Sequence, residues 1–220
     1  MLNLLNDDIL KRTECYVRRE LEGEGTGHDW WHIHRVRNTA LSIAKEEKAD
    51  LFIVELAALL HDIADHKFNN GDETIGPKVA QRWLESLNLD EISIIHVKDI
   101  ITNVSFKGAN VKTPMQTLEG KIVQDADRLD ALGAIGIARA FAYGGYKERE
   151  LYNPERVPTL HDTFDAYKKD DGPTINHFYE KLFLLKDRMN TSTGKKIAEH
   201  RHQFMKDYLN RFYSEWDGKF

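Results

Sequence analysis

The sequence predicts an all-α protein. Apolar residues recur at three- and four-residue spacing along most of the chain, the period of a helix with one buried face. Residues suited to cap helices, Asp29, Asp50, Asp90 and Thr191, stand just ahead of those runs. No run of four or more residues alternates cleanly enough to form a core strand.

The elements follow in order. Ile9, Tyr16, Val17 and Leu21 mark a first helix that ends at Gly23–Gly27. Asp29 caps a second, which carries Ile33, Val36, Ala40, Ile43 and Ala44. Asp50 caps a third, burying Ile53, Val54, Leu56, Ala57 and Leu60. Gly76-Pro77 opens a fourth, since proline suits the first turn of a helix. Asp90 caps a fifth through Ile94, Val97 and Ile101, and Thr113-Pro114 leads into a sixth with Leu118, Ile122, Val123, Ala126 and Leu129. Two more are expected over about 174–188 and about 191–215. Residues 143–173, with Gly144, Gly145, Pro154, Pro158 and Gly172-Pro173, form the longest stretch without helical period.

Composition narrows the class. The 220 residues are 41% hydrophobic and 30% charged, as in ordinary globular proteins. A formal net charge of −5 opposes bulk binding to a nucleic-acid backbone, so no nucleic-acid partner is expected. A phosphorylated small molecule remains compatible, because local basic groups can override the net charge. Cys15 is the lone cysteine, so no intrachain disulfide forms, which fits a reducing compartment. The N-terminus lacks a basic region followed by a long apolar run, and Leu56–Leu60 is far shorter than the ~20 residues that cross a bilayer. No membrane contact and a cytoplasmic location are expected.

Three sequence features carry chemistry. His61-Asp62 follows the buried run Leu56–Leu60, and two polar side chains at such a place are costly to bury without a strong partner. A divalent cation would satisfy both, although Asp62 could instead simply orient a core histidine. His32 lies three residues before Arg35, so an imidazole and a guanidinium share one helix face. Gln124-Asp125-Ala126-Asp127-Arg128-Leu129-Asp130 interrupts an otherwise apolar helix. Asp125 and Asp127 lie about 200° apart on a helical wheel, so one can reach a site while the other makes an indirect or surface contact. A solvated face bearing Asp125, Arg128 and Asp130 is the alternative.

Together these give the spaced pattern His … His-Asp … Asp on helices two, three and six. The chain resembles the HD-domain superfamily of metal-dependent phosphohydrolases, in its branch of small, single-domain bacterial hydrolases. The matching stretches include His28–His32 with Arg35-Val36, Leu56–Asp65, Thr102–Gly108, Leu118–Gly145 and His177–Leu182. The run Glu119–Asp130 is the most specific. The resemblance covers nearly the whole chain and implies one HD-type domain over 1–220, a helical bundle with a metal-site core over about 28–142 and C-terminal helices over about 174–216 packing on it.

The resemblance makes His32, His61, Asp62 and Asp127 the metal ligands, with Asp127 matching the family's Asp before Arg-Leu. Two neutral imidazoles and two carboxylates balance one divalent ion, drawn from Mn²⁺, Mg²⁺, Co²⁺, Ni²⁺, Fe²⁺ and Zn²⁺. The branch that cleaves cyclic dinucleotides carries a Gly-Tyr-Pro element and extra histidines. Here Lys147 follows Gly145-Tyr146, so one ion is expected. Asp65, three residues after Asp62, is a candidate proton acceptor, with His66 the alternative. Arg35, Lys67 and Arg128 are candidates to hold phosphate charge. Asn103, Ser105, Lys107 and Tyr146 are candidate substrate contacts. The implied substrate is a nucleotide, a triphosphate hydrolysed to monophosphate and pyrophosphate by a metal-activated water attacking the α-phosphorus. Phosphomonoester hydrolysis and nucleotide sensing without turnover are the alternatives.

Overall fold

The chain is described by a computed structural model over residues 2–23, 29–64, 74–106, 113–160 and 171–219. Eight helices of ten residues or more are described: α1 (Leu2–Glu20), α2 (Trp30–Glu47), α3 (Leu51–Leu60), α4 (Ile75–Ser86), α5 (Glu91–Asn103), α6 (Leu118–Asp130), α7 (Gly133–Tyr146) and α8 (Ser192–Trp216). No strand occurs among the described residues. The chain divides into two compact units, Met1–Phe106 with Lys112–Asp127, and Lys107–Val111 with Arg128–Phe220.

The first unit is built around α3. Its sequence, LFIVELAALL, has a single charged residue, and Leu56 to Leu60 are fully buried. A helix apolar on all sides belongs inside a core, and α3 packs against α1, α2 and α5. Asp50 caps it, its Oδ1 accepting from the amides of Phe52 (2.9 Å) and Ile53 (3.3 Å). Asp29 and Asp90 likewise cap α2 and α5 through the amides of His32 (2.9 Å) and Ser93 (3.0 Å). On α4, Trp83 stacks on Tyr16 at 4.0 Å and donates its indole N–H to Thr13 Oγ1 at 3.0 Å, fixing α4 to α1.

The second unit pairs α7 with α8. Phe178, fully buried, stacks parallel to Tyr208 of α8 at 6.2 Å and meets Phe141 of α7 at 6.1 Å. Gly133 has φ +73, the left-handed region that starts α7 afresh after Asp130. Gly136 sits so close to the Ala131 carbonyl that a Cβ would come within 2.2 Å of it.

Two sequence expectations need correction. The span 174–188 is not one regular helix. It is a π-turn at Phe178–Leu182, a single α-turn at Phe183–Leu185 and a 3-10 turn at Lys186–Arg188. Its first amides are drawn away, Thr174 N–H to the Glu150 carbonyl (2.8 Å) and Ile175 N–H to Leu151 (3.0 Å). Conversely, α7 was not anticipated, and it extends to Tyr146 inside the stretch read as lacking helical period.

One partly buried charge cluster ties three helices of the first unit. Arg37 on α2 donates from Nε to Glu55 Oε1 on α3 (2.7 Å), from Nη2 to the same oxygen, and from Nη1 to Glu14 Oε2 on α1 (2.9 Å). Replacing Arg37 by Leu strands two partly buried carboxylates. It is expected to lower unfolding free energy by about 2 kcal/mol. The double variant Arg37→Leu/Glu55→Leu should recover part of that loss, read from urea unfolding midpoints.

Candidate metal centre

Three helices of the first unit bring four side chains together. The Asp29 cap fixes the first turn of α2, and His32 lies in it, fully buried. The end of α3 delivers His61 and Asp62 to the interior, because the helix before them is buried all round. Asp127 comes from α6, whose neighbours Val123, Ala126 and Leu129 are fully buried.

His61 Nδ1 lies 2.8 Å from the Ala58 carbonyl. A carbonyl only accepts, so Nδ1 carries the proton and Nε2 keeps its lone pair. Ala58 lies in the last turn of α3, where carbonyls lack helical partners, so the bond also closes the helix end. The other nitrogen then points at His32: the two Nε2 atoms are 3.2 Å apart. Asp62 Oδ2 lies 3.3 Å from His32 Nε2 and 3.6 Å from His61 Nε2. Asp127 Oδ1 lies 3.5 and 3.8 Å from the same two nitrogens.

These separations suit a shared ion. Two ligands at ~2.1 Å from a metal are about 3.0–3.4 Å apart when the angle between them is octahedral or tetrahedral. A cation would satisfy both imidazole lone pairs and neutralise both carboxylates, whereas the same atoms without it need a proton between the rings. His32, His61 and Asp127 offer ligand atoms within 4.8 Å of one another and could hold a metal ion. The imidazoles are almost wholly enclosed, while Asp62 is 10% and Asp127 27% exposed at the side chain, leaving the carboxylate side the more open one.

The remaining sequence candidates are placed unevenly. Arg35 lies one turn after His32, half-buried. Asn103 donates from Nδ2 to the Asp99 carbonyl (2.8 Å) and its own carbonyl accepts from Gln124 Nε2 (2.9 Å), so both groups serve the end of α5. Ser105 is half-buried just beyond that end. In the second unit Arg128 is buried and its Nη1 donates to the Arg188 carbonyl. Tyr146, also there, is 62% exposed beneath Lys147 Nζ at 5.3 Å. Asp65, His66, Lys67 and Lys107 lie outside the described residues.

The solvated face envisaged for Asp125, Arg128 and Asp130 does not exist: all three are buried, and Asp130 pairs with Arg139 at 2.6 Å. Two contributors went unread in the sequence. Gln124 is fully buried and also donates to the Thr113 carbonyl (3.2 Å), tying α6 to the segment before it. The Ala58 carbonyl orients His61 through backbone alone, and its only sequence signal is a histidine placed just past a helix end.

The chain is similar to known proteins over nearly its whole length. The HD domain family matches residues 30–132. The Bacillus subtilis protein YpgQ is 41% identical over 216 residues, 95% of this chain and 96% of its own. The crystal structure of an HD-superfamily hydrolase from Bacillus thuringiensis superposes with a TM-score of 0.77 at 44% identity, covering 97% of this chain and 100% of that one. The structure of Bacillus subtilis YpgQ in complex with ADP superposes with a TM-score of 0.76 at 37% identity, covering 96% of both chains. No described helix is long and apolar enough to cross a membrane.

Elemental analysis should find about one divalent ion per chain, strongly reduced in His61→Ala and Asp127→Ala. Added Mn²⁺ should raise the melting temperature of the wild type, since an ion bound only by the folded state stabilises it. Neither variant should respond. Full metal retention by Asp62→Ala would remove Asp62 from the set.

Proposed function

This chain belongs to the HD-domain family, and on that premise we propose that it is a metal-dependent phosphohydrolase that splits nucleoside triphosphates into monophosphate and pyrophosphate, with residues 1–220 working as one catalytic domain. The observation that carries the reading is the convergence of the His32 and His61 Nε2 atoms with the Asp62 and Asp127 carboxylates. The ADP bound by YpgQ supports a nucleotide as the substrate class.

In the proposed site His32, His61, Asp62 and Asp127 hold one divalent ion. Such an ion supplies Lewis acidity, lowering the pKa of water and polarising a phosphoryl oxygen. The protein's own groups do the rest. The Ala58 carbonyl holds the His61 ring so that Nε2 faces the donor set. Asp65 takes the proton of the attacking water. Arg35, Lys67 and Arg128 are assigned the phosphate charge, and Asn103, Ser105, Lys107 and Tyr146 further substrate contacts. No serine or cysteine nucleophile is required.

Hydrolysis in ¹⁸O-labelled water tests the bond. Label in the nucleoside monophosphate is expected and marks attack at the α-phosphorus. Label in pyrophosphate would move the attack to the β-phosphorus and keep the same products. Label in orthophosphate alone would place the attack at a terminal phosphorus and overturn this reading in favour of a phosphatase. A separate measurement addresses the proton acceptor: Asp65→Asn should retain the metal and lose roughly 10²–10⁴-fold in turnover. Unchanged turnover would take Asp65 out of the mechanism.

A further inference from the structure

Gln124 occupies a core position of α6 with a side chain that is not apolar. It is fully buried, as are Val123 and Ala126 beside it. Its side-chain nitrogen lies 2.9 Å from the Asn103 carbonyl and 3.2 Å from the Thr113 carbonyl. Carbonyls only accept, so the nitrogen and not the oxygen of the carboxamide faces them, and its two protons serve one carbonyl each. If filling space were the only requirement, an apolar side chain would meet it without the cost of burying an amide.

The two carbonyls belong to the two ends of one segment. Asn103 is the last residue of α5, and its carbonyl is among those that a helix end leaves without an internal partner. Thr113 begins the approach to α6, and that approach is laid against the helix. A Cβ on Gly120 would stand 2.5 Å from Met115 Sδ, and Thr117 Oγ1 accepts from the Gly120 amide at 3.2 Å. A single nitrogen thus pins the start and the finish of 104–112 to one point on α6. Closing the end of α5 needs only the first of its two bonds and does not account for the one to Thr113. Segments whose two ends are drawn together are frequently functional. Gln124 and Thr113 each keep other protein contacts as well.

That point adjoins the candidate metal centre. Asp127 follows Gln124 by three residues, so the two share a face of α6 less than one turn apart. Asp127 is also the most open of the four candidate donors, its side chain 27% exposed against 10% for Asp62 and 1% or less for the imidazoles. The open side of the centre and the anchored ends of 104–112 therefore lie along the same stretch of α6, and all of these residues belong to the first unit.

We propose that Gln124 is a positioning residue for the substrate: by holding both ends of 104–112 against α6 beside Asp127, it sets the polar groups of that segment, the half-buried Ser105 among them, where they meet a nucleotide bound at the ion. The proposal rests on the nucleotide reading above. Gln124 itself touches neither ion nor substrate in it. It acts on affinity and not on the chemical step, because contacts made alike to substrate and transition state change KM and leave kcat.

Calorimetric titration of the Mn²⁺-loaded full chain with ADP compares wild type with Gln124→Met, which keeps the length and cannot donate. The control is Gln81→Met, which removes the acceptor for Lys98 Nζ (2.8 Å) that ties α4 to α5 in the same unit. Gln124→Met should retain the ion and bind ADP about tenfold more weakly, as for the loss of one or two hydrogen bonds. The control should match wild type. With a nucleoside triphosphate, Gln124→Met should raise KM by a similar factor at an unchanged kcat. Loss of the ion together with ADP affinity would make Gln124 a support for Asp127 alone and overturn the proposal. Unchanged affinity, an equal loss in the control, or a fall in kcat at constant KM would overturn it too. Wild type that binds ADP but turns over no nucleotide would sink the hydrolase reading only, since the comparison of affinities needs no turnover. Should Gln124→Met fail to fold, hydrogen exchange of the wild type decides. Amides of 104–113 should exchange more slowly with ADP and Mn²⁺ than with Mn²⁺ alone, and an unchanged rate would overturn the proposal.

Discussion

Two imidazole nitrogens 3.2 Å apart, in a place that water barely reaches, dictate much of the first unit. Buried polar groups are tolerated only when partnered, and α3 makes the burial unavoidable. Because that helix is apolar on every side, whatever follows its last turn is carried inward with it. His61 answers one demand by closing the helix end at Ala58 and another by presenting Nε2 to His32. Asp62 and Asp127 set two carboxylates beside the imidazoles, and a divalent cation would balance their charge. The supports reach outward from there. Glu119 at the start of α6 accepts from the Asp50 amide (3.2 Å), linking the start of α3 to the helix that bears Asp127, and its other oxygen lies 3.6 Å from His96 of α5.

Much of this was legible in the sequence, and the parts that were not share a cause. The capping residues Asp29, Asp50, Asp90 and Thr191 act locally, and each caps as its position foretells. His61-Asp62 stood out because a polar pair ends an apolar run. Asp127 could not be separated from Asp125 by helical angle, since which of two opposed faces meets the donors depends on packing between helices. In the event both faces are covered: Asp125 is fully buried while Asp127 joins the imidazoles. The helix α7 was missed because its glycines have poor intrinsic helix propensity. Gly136 and Gly144 are there for close approach to Ala131 and Thr174, a requirement that only the folded neighbours reveal. The broken span 174–188 has the same origin, its first amides being claimed by a segment more than twenty residues earlier.

Arginines play opposite roles in the two units. In the first, Arg37 neutralises carboxylates from two other helices. In the second, Arg128 and Arg201 spend their guanidinia on main-chain oxygens, those of Arg188 and Leu129. Burial costs Arg201 part of its usual basicity, with Asp130 partly restoring it. An arginine that close to the candidate ligands reads in sequence as a phosphate clamp. The hydrogen bond to Arg188 gives Arg128 an architectural duty beside any such role.

The division of the chain also sets an order in time. Synthesis runs from the N-terminus, and domains generally fold as units in that order. All four candidate donors belong to the first unit, whose last segment closes at Asp127. The ribosome has therefore delivered every one of them before α7 and α8 are translated. An ion held by these four side chains would not have to wait for the second unit, so loading and the completion of that unit are separable events in the birth of the protein.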